Sequence, residues 1–159
     1  MANSEQLEIK VKEIESYFPD REVVVDSISK ASVGWQLDHS LKVLNVVFDM
    51  LKNSKTEDYK WKFNFWRSYC FLINGFPRGR AKAPKSVRPL DIISLDGLNK
   101  QLQEARENLA TIDDLPSKTN ITHHIFGSLN KKQTIRFLNI HTEHHLKIVR
   151  DILKANKKP

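Results

Sequence analysis

Asn130 to Ala155, NKKQTIRFLNIHTEHHLKIVRDILKA, reads as one long amphipathic helix. At about 100° per residue, Phe137, Leu138, Ile148, Val149 and Ile152 gather on one side of a helix. Arg136, Lys147, Arg150 and Lys154 gather on the other. Asn130 is the expected N-cap and Gln133, three positions on, its capping-box partner. His141 and His145 sit within the apolar stripe, only about 40° apart and one turn from each other, so they can share one ligand. A core-facing imidazole is costly unless its nitrogens find partners.

The same periodicity recurs upstream. Leu7, Val11, Ile14 and Phe18 predict a helix from about Ser4 to Phe18, stopped by Pro19-Asp20. Glu22 to Val25 reads as an extended connection. From Ser32 to about Lys52 the apolar face is Trp35, His39, Val43, Val46, Val47, Met50 and Leu51, with Asp38, Lys42, Asn45, Asp49 and Lys52 opposite. His39 therefore points inward. Tyr59 to Phe65 alternates like a strand, but Trp66, Tyr69, Cys70, Leu72 and Ile73 continue at helical spacing, which favours helix for the segment. Leu95, Leu98, Leu102, Ala105 and Leu109 form another seam, from near Ser94 to Thr111.

Four long amphipathic helices and one shorter segment, without a convincing sheet, predict an all-α four-helix bundle with an additional short helical segment. The 159 residues suffice for a single domain, 1–159, and one core. The lone Cys70 permits no intramolecular disulfide and no multi-thiolate metal site, which suits a reducing cytoplasm. It reads as a buried small hydrophobe. The N-terminus has no basic start before an apolar run, and no apolar stretch nears the roughly 20 residues that span a bilayer. A soluble, untargeted, cytoplasmic chain is expected.

The net charge of +7 is concentrated locally. Phe76 to Pro89 carries Arg78, Arg80, Lys82, Lys85 and Arg88 without an acid, and its Gly and Pro residues make it a long loop. It is either a solvated loop or an anion clamp in which Arg78, Arg80 and Arg88 hold a carboxylate-bearing substrate. Trp61, Phe63, Phe65 and Trp66, interleaved with Lys60, Lys62 and Arg67, could stack on single-stranded nucleic acid, but packing within the bundle is the favoured reading. No recognised nucleic-acid-reading module accompanies them.

Three inward histidines, an i, i+4 pair plus one on another helix, match a metal site with three protein ligands and an open position: His39, His141 and His145. His144 lies about 60° to the far side of His141, at the stripe's edge, beside the site or exposed. Glu143 projects about 200° from His141, so the string is no zinc-protease motif. His123 and His124 precede the last helix; His124 is a candidate for the substrate pocket, and a surface loop is the plainer reading.

Trp35-Gln-Leu-Asp-His39 and His141-Thr-Glu-His-His145 resemble the DinB-like (DinB/YfiT) superfamily, from about Ser32 to Leu153. Ala83-Pro-Lys-Ser-Val-Arg-Pro89 and His124-Ile-Phe-Gly-Ser-Leu129 are similar to a subfamily of unknown function. The resemblance implies a four-helix bundle in which His39, His141 and His145 bind one divalent ion, usually nickel or zinc. Relatives include thiol-dependent S-transferases using low-molecular-weight thiols, a maleylpyruvate isomerase and candidate hydrolases; many are dimers. Ile125 departs from the subfamily, which often has proline there. Three function classes follow: a metal-dependent transferase or hydrolase acting on a small molecule, a non-catalytic helical binding or scaffold protein, and, ranked last, a nucleic-acid-binding protein acting through its basic loop.

Overall fold

Ser32, Ser94 and Asn130 each turn a side-chain oxygen onto the backbone N–H three residues ahead, and each begins a long helix. In this computed structural model, which describes residues 2–78, 87 and 92–157, the elements run α1 (Ala2–Ser16), α2 (Val33–Lys52), α3 (Phe65–Leu72), α4 (Leu95–Ile112), β1 (Asn120–His123), β2 (Gly127–Asn130) and α5 (Lys131–Asn156). Short 3-10 turns occupy Phe18–Asp20 and Thr56–Asp58. The Asn130–Gln133 capping box forms as expected.

α2 packs against α4 and α5, and α1 packs against the same two helices. The four long helices thus share one core, in which Leu7, Ile14, Leu37, Leu41, Leu44, Phe48, Leu98, Leu138 and Leu146 are almost wholly buried. Each such side chain contributes about 1.5–3 kcal/mol.

Wedged between two partners, α2 buries more than one stripe, and this corrects the expected face. Asp38 and Asn45 are buried against α4, whereas Val46 and Met50 are exposed. Gln101 donates to the Asp38 carboxylate at 2.6 Å, Lys42 pairs with it at 2.5 Å, and Asn45 donates to the Gln101 carbonyl at 3.0 Å. Asp38, Lys42 and Asn45, which looked solvent-facing, thus belong to the α2–α4 seam, while Asp49 is exposed as expected.

A second correction is the antiparallel hairpin β1–β2, paired Asn120↔Asn130 through His123↔Gly127. Ile121 and Leu129 bury against the helices, and Asn130 passes the chain straight into α5. At the tip, His123 Nδ1 accepts the backbone N–H groups of Ile125 and Phe126 at 3.1 and 3.2 Å. Gly127 has φ +68°, a conformation that disfavours a Cβ. Gly127→Ala is expected to cost about 1–2 kcal/mol in chemical denaturation.

Burial, and secondarily His124, lowers the His123 pKa to about 4 from its ordinary 6.5. Because the folded state resists protonation, the stability present above pH 6.5 is lost as pH falls toward 4, by up to about 3 kcal/mol. Denaturant titrations at pH 7 and 4.5 should show a larger acid loss for wild type than for His123→Asn, whose oxygen can still accept from the turn.

A third correction concerns Tyr59–Phe65, expected as helix. The segment up to Asn64 is not helical; Asn64 caps α3 by accepting the Arg67 N–H, so only Phe65–Leu72 coils. Trp61, Phe63 and Phe65 are 63%, 69% and 65% exposed, and Trp66 is also exposed, so they do not pack within the bundle. Arg67 is the inward residue, 4% exposed. Its guanidinium donates to the carbonyls of Lys62 (2.5 Å), Phe126 (3.3 Å) and Ser128 (2.9 Å), tying the segment to the hairpin.

Candidate metal centre

α2 and α5 bring His39, His141 and His145 together, as their wheel positions require. Ring centroids lie 5.1 Å apart for His39 and His141, 4.7 Å for His39 and His145, and 4.6 Å for His141 and His145. One ring nitrogen from each falls within 4.8 Å of the other two, and no Asp, Glu or Cys joins this group among the described residues.

Two rings are held in a defined tautomer. His39 Nδ1 lies 2.7 Å from the Val87 carbonyl, which can only accept, so Nδ1 carries the proton and Nε2 keeps its lone pair. His145 Nδ1 donates likewise to Gln36 Oε1 at 2.6 Å. His141 differs: its Nδ1 is enclosed without a hydrogen-bond partner among the described residues. Such an orphan is expected where an ion or water completes the site. Trp35 stacks on His39 at 5.1 Å and 25°, while Phe137 and Phe76 lie 5.7 and 6.3 Å from the His141 ring.

Burial pushes the pKa of His39 down and those of His141 and His145 well below the ordinary histidine value; the neighbouring imidazoles add to the effect on the latter two. All three are therefore neutral bases, the form that binds a metal. The donor set fits a borderline-soft divalent ion.

Of the other expected site residues, His144 is half-buried, edge-on to His145 at 5.1 Å and 6.0 Å from the Phe76 ring. Burial and then Arg78 lower its pKa. His124 is exposed on the hairpin turn and stacks at 4.5 Å on His123, the more buried of the two. Arg78 pairs with Asp151 of α5 at 2.7 Å, so its charge is already matched. Arg80 and Arg88 lie outside the described residues. Glu143 turns from the histidines to Arg150 at 2.8 Å and Lys10 at 4.0 Å, both away from the site. Cys70 is buried, and burial pushes its thiol pKa up.

Sequence reasoning missed Gln36 and the Val87 carbonyl. Gln36 had a signal: it stands one turn before His39 on the same helix face. Val87 had none, since a backbone carbonyl carries no residue-type signature. No described helix is long and apolar enough to cross a membrane. Comparisons with protein-family models, with curated proteins and with solved structures return no match.

Proposed function

We propose that this chain is a DinB-like four-helix-bundle protein whose His39, His141 and His145 hold one zinc or nickel ion for thiol S-transfer or hydrolysis of a small molecule. The observation that supports it is the buried cluster of three neutral imidazoles that no acid joins among the described residues. The family rests on the resemblance of the two histidine motifs. A divalent ion held there would supply Lewis acidity toward a water or thiol. The chain's own contribution is orientation and exclusion: Val87 and Gln36 fix two imidazoles, and Trp35, Phe76 and Phe137 keep bulk water from the rings. A cytoplasmic homodimer with a low-molecular-weight thiol as co-substrate belongs to the same reading.

The test is turnover by zinc- or nickel-loaded protein in a panel of thiols with electrophiles and of activated esters. The expected result is activity that requires the metal and disappears in His141→Ala. Stoichiometric metal without turnover on any member would overturn the enzymatic reading.

The second reading, a helical binding protein, draws on the outward-facing Trp61, Phe63, Phe65 and Trp66, an exposed apolar patch of the kind that marks interaction surfaces. Nucleic acid is the weaker partner for it. Arg67 is buried and engaged with carbonyls, and Phe65 lies face to face with Tyr69 at 9° and 6.5 Å.

A further inference from the structure

We propose that Gln36 is a positioning residue of the metal centre: it holds His145 with Nε2 free for the ion, and its neutral amide leaves the loaded site suited to an anionic ligand. The proposal rests on the metal reading above. Three observations carry it. Gln36 is 3% exposed, yet its Oε1 lies 2.6 Å from His145 Nδ1. Its other amide atom is committed as well, for Nε2 donates to Ser29 Oγ at 3.4 Å, and Ser29 Oγ in turn donates to the Ala31 carbonyl and accepts the Ala31 N–H, both at 3.1 Å. The amide is thereby anchored with its oxygen toward the imidazole. α2 thus supplies one ligand, His39, and, one turn earlier, the orienter of a ligand from α5.

The chemistry of the orienter sets the charge. Where a carboxylate stands behind a ligating imidazole, it offsets part of the ion's charge and raises the ligand's basicity. Here His39 is backed by a carbonyl and His145 by an amide. Among the described residues, the acids that flank the ligands in sequence have partners of their own, Asp38 in Lys42 and Gln101 and Glu143 in Arg150 and Lys10, and neither bonds a ligating imidazole. A divalent ion among these groups would have no carboxylate bonded to its ligands among the described residues to offset its charge, which would favour an anion as its further ligand.

Wild type, Gln36→Ala and Gln36→Glu separate the parts of this claim, with circular dichroism to confirm that each variant folds. In metal-free protein, imidazole ¹⁵N shifts should show His145 in the Nδ1–H tautomer in wild type and a mixture in Gln36→Ala; an unchanged pattern overturns the positioning role without reference to metal. In zinc competition titrations, Gln36→Ala should bind about 10–100-fold more weakly, whereas Gln36→Glu should bind at least as tightly as wild type. Equal zinc affinity of wild type and Gln36→Ala overturns positioning toward the ion. Azide titrated into cobalt-loaded protein, followed by visible absorbance, should bind Gln36→Glu about tenfold more weakly than wild type; equal binding overturns the charge argument. A wild type that shows the tautomer but binds neither zinc nor cobalt overturns the metal reading, and the anion preference with it, while the His145–Gln36 arrangement stands.

Discussion

Zinc at about a thousand times its dissociation constant is expected to raise the melting temperature of the wild-type protein by about 8–16 °C, and that of His141→Ala by nothing measurable. The size follows from linkage: ligand at that excess stabilises the folded state by about 4 kcal/mol, and in a domain of this length each kcal/mol moves the melting temperature by about 2–4 °C. His141 is the informative position because its Nδ1 has no hydrogen-bond partner among the described residues. Its removal orphans no other group there. His39→Ala and His145→Ala would also strand the Val87 carbonyl and the Gln36 amide oxygen, each costing about 1–3 kcal/mol by itself. Differential scanning calorimetry of both proteins, with and without zinc, separates the two effects. A shift of equal size in wild type and His141→Ala would place the zinc elsewhere.

The largest loss of stability expected from any single surface-adjacent change is that of Arg67→Ala, about 3–5 kcal/mol. One guanidinium serves three carbonyls, those of Lys62, Phe126 and Ser128, and hydrogen bonds to a charged donor contribute about 1.5–3 kcal/mol each, with non-additivity reducing the sum. Truncation would also leave those oxygens short of a donor and release the Tyr59–Asn64 segment from the hairpin. Arg67→Lys should recover little, because an ammonium is a point donor and cannot reproduce a planar fork. Urea unfolding measures both. A loss below 1 kcal/mol for Arg67→Ala would mean that water replaces the guanidinium without cost.

The site was more legible in the sequence than the parts around it. Helical periodicity is a property of the local chain, so the wheel that put His141 and His145 on the stripe with Leu138 and Val149 held once α5 formed. The α2 face failed for a tertiary reason. A helix packed on two partners buries polar residues wherever the second partner can bond them, as Gln101 and Asn108 do for Asp38 and Asn45. The hairpin escaped notice because each strand is four residues long, and β1 has a single buried apolar side chain, Ile121. Its signal lies in what the chain does at the tip, where a histidine accepts two amide protons. Tyr59 to Phe65 shows the opposite failure. Its alternation was a true sign of non-helical backbone, overridden by the helical spacing of the residues that follow. The aromatics it carries point outward because Arg67, rather than any of them, turns inward.

Elemental analysis of tag-free protein purified without added metal or chelator, beside the His39→Ala, His141→Ala, His145→Ala triple variant, asks whether the three imidazoles hold an ion. Close to one zinc or nickel per chain is expected in the wild type and none in the variant, with equilibrium titration restoring metal to the first alone. A wild type that carries no metal and takes up neither zinc nor nickel at micromolar concentration would contradict it, and the three imidazoles would then be a structural feature of the core.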